Sequence, residues 1–498
     1  MTRKKKLLLN TSTALIYQII TVLCGFVLPK FIIPHFGSAV NGLINSITQF
    51  MTIITLCECG VGAVVQSALY RPLAEKDDDA ISRIIISSNR FFNSIVRLLI
   101  GYVLVLCLVY PILVKDEFSI VYTVSLIIIL ALSFFAQHFL YLSLRLLLNA
   151  DQASFIQLGS HCVALIVNTV LTILLIQLDA SVHLVKLGSV AAFLIQPFVV
   201  RLYVKKHYNL NLKLTLTEEP LKQKWNGLAQ HIASVVQGNA ATVVLTLFST
   251  LESISIYSVY YLIAHGIRQI IVAMNTGFKA MLGNMLAKKE METLDQTFNT
   301  VEFAFHTVVT LLFGIAGILI IPFVKIYTAN FTDAAYIRPL FGTLMVMGQA
   351  AYCLRIPYEM MVQAAGHYKQ TQRSSIIEAI LNVATAIALV LTLGMEGVAI
   401  SSIVAMGYRT VYLAWYMQKN ILNRPIKYFL KHILVDAVCI VAMILTTGWI
   451  EIGTSNYFEW AKSAIVVTLL CGCVCVVVNL IFYKSEIADT LKYYRHSR

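Results

Sequence analysis

Residues 40–70 read VNGLINSITQFMTIITLCECGVGAVVQSALY, from Val40 to Tyr70. The run is apolar and long enough to cross a bilayer, for which about 20 residues suffice. Polar side chains nevertheless recur along it, at Asn41, Asn45, Thr48, Thr52, Thr55 and Glu58. Steps of three and four residues put them on one helical face. A membrane helix with a wet stripe and a carboxylate turns that stripe to a cavity or a partner helix, not to lipid. Glu58 is therefore a candidate ion-coupling group, binding H⁺ or Na⁺; its structural alternative is an ion pair with an arginine.

The rest of the chain has the same character. Of 498 residues, 58% are hydrophobic and 13% charged, whereas a soluble protein carries about a quarter charged residues. The composition is that of a polytopic, all-α membrane protein. A net charge of +13 does not point to nucleic acid here, because the basic residues sit in short loops between apolar runs. The cysteines fall in apolar segments and read as small buried hydrophobes. Cys471, Cys473 and Cys475 are spaced by two, which does not aim three thiolates at one metal ion from a helix. The chain has no phosphate-binding GxxxxGK[ST] loop, no GxSxG and no HExxH, and its loops are short. These features argue against an enzyme, a nucleotide motor, a cofactor or a metal centre.

Fourteen apolar runs are long enough to span. The basic start MTRKKK is read as the cytoplasmic flank of a retained first helix. Lysine and arginine then concentrate in alternate loops, placing both termini in the cytoplasm. Residues 1–203 hold spans one to six. Residues 204–225 form a polar cytoplasmic loop, 226–417 hold spans seven to twelve, and 418–498 hold spans thirteen and fourteen with a tail.

An internal repeat supports this division. LAEKDDDAISR begins at Leu73 and LAKKEMETLDQ at Leu286, an offset of 286 − 73 = 213. The same offset carries the stripe Ser258, Tyr261, His265, Arg268 of span eight onto Asn45, Thr48, Thr52, Thr55 of span two. It carries Asn226, Gln230, Ser234, Gln237 of span seven onto Thr13, Tyr17, Thr21, Cys24 of span one. The expectation is two six-helix lobes in parallel repeat, spans one, two, seven and eight facing a shared cavity, with two C-terminal helices appended.

The run from Phe36 to Asp77, with FGSAVNGLINSITQF, LCECGVGAV and ALYRPLAEKD, resembles the polysaccharide repeat-unit flippases of the multidrug/oligosaccharidyl-lipid/polysaccharide exporter superfamily. The local motif covers about a tenth of the chain; the span count and the repeat fit along all of it. The resemblance implies a flippase in the bacterial plasma membrane that moves undecaprenyl-diphosphate-linked oligosaccharides from the inner to the outer leaflet by alternating access. Its implied partners are the lipid-linked substrate, membrane lipids, and a polysaccharide polymerase with glycosyltransferases. The alternative on the same architecture is a cation-coupled multidrug or metabolite antiporter.

The candidate cavity residues follow. Arg268 sits mid-span, where an arginine costs at least about 2.5–3.5 kcal/mol, and its paired donors suit a diphosphate. Arg97 in span three is a second candidate. Asn41, Asn45, Gln230 and Gln237 are expected to bond sugars, and His265 to line the same face. Arg355 with Glu359, and Glu302 with His306, are four apart and read as local helix pairs. Arg409 reads as a snorkelling side chain. Glu378 has no partner legible in sequence. Subtracting 213 from Glu302 and His306 gives Asn89 and Asn93, so that face is polar in both halves.

Overall fold

The computed structural model describes residues 3–52, 61–214 and 228–484, and among them secondary structure is helical with no strand. The chain divides into two compact units, Met1–Val243 and Val244–Arg498. The first contains α1 (Arg3–Phe36), α2 (Ser38–Thr52), α3 (Val61–Glu75), α4 (Asp78–Leu113), α5 (Ile120–His138), α6 (Leu142–Ala150), α7 (Ser154–Gln177), α8 (Val182–Phe193) and α9 (Ile195–His207). Helix α10 (Leu228–Phe248) carries the chain into the second unit. There α11 (Leu251–Ala273), α12 (Asn275–Ala287), α13 (Met291–Tyr327), α14 (Pro339–Leu354), α15 (Ile356–Ala364), α16 (Tyr368–Met417), α17 (Lys427–Thr447) and α18 (Tyr457–Phe482) follow.

Among the described residues, five helices start where a side-chain oxygen replaces a missing carbonyl partner. Asp77 accepts from the Ala80 N–H (2.8 Å) at the start of α4. Asn456 accepts from the Glu459 N–H (2.9 Å) at the start of α18, and Thr250 caps α11. Helix starts also recur at the repeat offset. Ser38 of α2 and Leu251 of α11 are 251 − 38 = 213 apart, as are Asp78 of α4 and Met291 of α13.

Helix α16 is a hairpin. Gly394 has φ 59°, a conformation open to glycine at little cost, and the chain folds back there. Ser401 Oγ donates to Asn382 Oδ1 (3.1 Å) across the fold. Gly397 lies so close to the first limb that a Cβ there would stand 2.6 Å from the Leu389 carbonyl carbon.

Ten helical segments among the described residues are long and apolar enough to cross a membrane, the α16 hairpin being one of them. Helices α2, α3, α10, α14 and α15 overlap other expected runs. In α18 the most apolar window has mean hydropathy 2.8 yet is only 22% buried. Leu469, Ile481 and Phe458 face outward, each more than half exposed. Apolar surface on that scale calls for lipid as solvent. The chain is a multi-pass membrane protein.

Candidate functional site

The residues expected to contact a substrate distribute over both units. In the first, Asn41 is buried and the Asn45 amide donates to its carbonyl (2.9 Å). Thr52 Oγ1 donates to Asn239 Oδ1 (2.7 Å), which Gln49 also reaches. Arg97 is exposed on α4 and donates to Ser94 Oγ (3.0 Å). A cavity of about 1000 Å³ opens beside α4, lined among others by Asn89, Asn93, Arg201, Lys205 and Tyr208. Glu58 lies outside the described residues, and so do the side chains of Gln230 and Gln237 on α10.

In the second unit His265 and Arg268 share α11. The His265 ring pairs with Gln269 (3.0 Å) and stacks on Tyr261. Arg268 reaches across to α14, where Nη1 donates to Gln349 Oε1 (3.1 Å) and the guanidinium lies 4.2 Å from the Tyr352 ring centre. Arg355, the residue before α15, approaches the same ring at 4.4 Å. Two guanidiniums thus share one aromatic side chain, a favourable arrangement for a cation on a π-face.

Arg355 is held from two sides. Its Nη1 donates to Glu378 Oε1 (2.6 Å) and its Nε lies 3.2 Å from Glu359 Oε2. The pair with Glu359 is the local one expected; Glu378 is the partner that sequence spacing did not supply. Arg409 also faces Glu378 (3.7 Å) and donates to Thr371 O (3.0 Å) and to the Ser374 hydroxyl. It is 3% exposed, so the snorkelling reading is corrected. The hairpin at Gly394 brings Arg409 back beside Glu378, and a buried guanidinium requires that carboxylate. Three arginines therefore meet two glutamates. Among the described residues Arg268 forms no ion pair, and its Nε has no hydrogen-bond partner. Arg355 and Arg409 each face a carboxylate, whereas Arg268 faces none among the described residues.

A second cluster lies where α13, α15 and α17 meet. Glu302, fully buried, accepts from Tyr358 Oη (2.8 Å) and from Arg424, with His432 Nε2 at 3.7 Å. The His306 ring bonds Asp436 Oδ2 through Nδ1 (2.6 Å) and Tyr358 Oη through Nε2 (2.9 Å). The local Glu302–His306 pair expected from sequence is thus replaced by bonds to other helices. Helices α13 and α17 present the two groups in matching register, because His306 and Asp436 are 130 apart and 432 − 302 = 130. An acid and a histidine four apart on one helix, and a histidine and an acid four apart 130 residues later, was the signal available in the sequence. Arg424 lies in the connection between α16 and α17, where no helical spacing links it to Glu302.

No protein-family model matches the chain, and no curated protein matches it. Solved structures do resemble it. The inward closed form of the lipid II flippase MurJ superposes with a TM-score of 0.68 over 96% of this chain and 99% of that one, at 16% identity. An inward-facing multidrug resistance MATE family transporter of the MOP superfamily gives 0.61 over 81% of this chain and 95% of its own, at 15% identity. A Vibrio cholerae MATE transporter gives 0.58 over 84% and 98%, at 16% identity. The chain has the fold of these flippases and transporters. At such identities the likeness is one of fold, and residue roles must come from this chain's own geometry.

Proposed function

We propose that this protein flips an undecaprenyl-diphosphate-linked oligosaccharide across the bacterial plasma membrane by alternating access, with fourteen crossings and both termini cytoplasmic. The observation that carries the reading is Arg268, a cation without a carboxylate partner among the described residues, beside the Tyr352 ring, Gln349 and Arg355. A diphosphate takes paired guanidinium donors, and an aromatic face with an amide suits the adjoining sugar. The shared fold with a lipid II flippase over nearly the whole chain supports a lipid-linked cargo. The MATE-like fold supports the alternative antiporter reading, against which the cationic excess at Arg268 weighs, because cationic drugs favour acidic or aromatic sites.

The test is genetic and chemical together. Deletion should make cells accumulate lipid-linked oligosaccharide in the inner leaflet and lose surface glycan, with drug susceptibility unchanged. Arg268→Ala should insert normally and yet fail to restore export, while Arg268→Lys should restore part of it. Full export by Arg268→Ala would remove that residue from the mechanism, and drug sensitivity without precursor accumulation would favour the antiporter.

A further inference from the structure

The cluster joining α13, α15 and α17 contains a chain of three hydrogen bonds: Asp436 Oδ2 to His306 Nδ1 (2.6 Å), His306 Nε2 to Tyr358 Oη (2.9 Å), and Tyr358 Oη to Glu302 Oε1 (2.8 Å). Each link needs one hydrogen. With both carboxylates ionised, a neutral imidazole brings one hydrogen and a phenol brings one. Three links then share two hydrogens, and one contact would set two bare acceptors face to face below 3 Å, which is repulsive. A single added proton completes the chain. It resides on His306, on Asp436 or on Glu302, and the other hydrogens reorient to suit.

Charge gives the same count. Glu302 and Asp436 carry two negative charges and Arg424 one positive. Arg424 bonds Glu302 and Asn299, and Asp295 stands 3.7 Å away at the rim. One further proton brings the buried set to neutrality, as a site shielded from water requires. The surrounding groups do not supply it. His432 stacks on His306 at 4.7 Å and bonds the Tyr483 hydroxyl (2.7 Å) through Nδ1. That phenol can donate to His432, leaving it neutral against its neighbour. Lys431 sits over the Tyr483 ring, 4.5 Å from its centre. Cys439 of α17 and Cys475 of α18 belong to the apolar packing alongside.

We infer that the Asp436–His306–Tyr358–Glu302 chain is a binding site for one proton, and that its occupancy fastens α17 to α13 and α15. The inference concerns an ion and not a cargo, and it stands whether or not the protein moves glycans.

Proton linkage gives the sign. A proton held by the folded protein and absent from the unfolded chain makes stability fall as pH rises through the point of release. Asp436→Asn removes the need for that proton. Its carboxamide N–H donates to His306 Nδ1, His306 Nε2–H donates to Tyr358, and Tyr358 donates to Glu302, so all three links are filled at any pH. The experiment is thermal unfolding of the purified full-length protein in detergent across pH, with proton release on a pH jump measured by an indicator dye. The wild type should melt at lower temperature as pH rises and release about one proton more per molecule than Asp436→Asn, whose melting curve should be flatter. Parallel melting profiles, or equal proton release, overturn the assignment. If Asp436→Asn does not fold, Glu302→Gln supplies the missing hydrogen from the other end of the chain. A wild-type pH slope in that variant overturns the assignment equally. No substrate enters either measurement, so a failure here is separable from a failure of the flippase reading.

Discussion

On α4, Asn89 and Asn93 line an open cavity of about 1000 Å³; 213 residues later, on α13, Glu302 and His306 are buried beneath α17, Tyr358 and Arg424. The pattern extends through both units. Among the described residues, every buried charged or imidazole side chain lies in the second unit: Glu302, His306, Arg355, Glu378, Arg409 and His432. Subtracting 213 from Arg355, Glu378 and Arg409 gives Leu142, Leu165 and Gln196. The two units thus share the starts of two helix pairs at the repeat offset while differing in what fills their interiors. Neutral amides can line a water-accessible groove with no fixed partner. Charges buried under other helices must be matched pair by pair, and α17 and Arg424 supply that match on the α13 face.

The strongest way to break this comparison is to unbalance the second unit. Glu378→Ala leaves Arg355 and Arg409 buried without their shared carboxylate and should cost about 3–5 kcal/mol, seen as a large drop in melting temperature in detergent. Installing the first unit's residues together, as Arg355→Leu, Glu378→Leu and Arg409→Gln, should restore most of that stability while still abolishing the proposed glycan export. Loss of stability equal to that of the single variant would mean that the two units are not interchangeable frames.

A smaller effect should come from the hairpin of α16. Gly397→Ala puts a methyl group against the Leu389 backbone and should cost about 1–3 kcal/mol through overpacking, read in the same melting assay. The first unit turns differently at this point, with Leu178–Ser181 between α7 and α8, and Leu184 stands 213 residues before Gly397. Leu184→Ala should therefore be much milder than Gly397→Ala.

The mildest change tests the first unit's edge, where charge does occur. Tyr208 Oη donates to Asp151 Oδ2 (2.7 Å), and Lys6 Nζ holds the same residue at 2.7 Å and 3.0 Å. Burial, with the adjacent carboxylate, pushes the Tyr208 phenol above its ordinary value of 10.0. A raised value means that the bond's contribution is fully present below about pH 10 and fades only as pH climbs through the folded value. Tyr208→Phe should cost about 1 kcal/mol, by an amount that stays constant through neutral pH when melting is followed across pH.

Much of the architecture was legible because membrane solvation writes itself into composition. Long apolar runs and basic loops follow from what a bilayer tolerates, and the 213-residue offset is a separate signal, carried by matching loops and polar stripes. The pair Arg355–Glu359 was legible because it is local to one helical face. Glu378 and Arg409 were not, because their meeting depends on where α16 folds back, and a single glycine at 394 sets that register. Arg424 was not legible as a partner either, because it lies in a connection between helices, where an arginine reads as part of the basic loop bias. Sequence spacing suggested that Glu302 would seek His306. The competing interaction, a parallel helix with the complementary pair 130 residues away, is invisible until α13 and α17 are seen side by side.

Helix α15 is only nine residues long. At its threshold stands Arg355, which shares the Tyr352 ring with Arg268, and one turn along it stands Tyr358, the middle of the proton chain. Such a short rod cannot rotate or slide at one end and stay still at the other. An anion that drew Arg355 away would tug on the phenol, and a change at the phenol would reset the guanidinium. Thermodynamics then requires the influence to run equally in both directions: whatever factor protonation applies to anion affinity, the anion must apply to protonation.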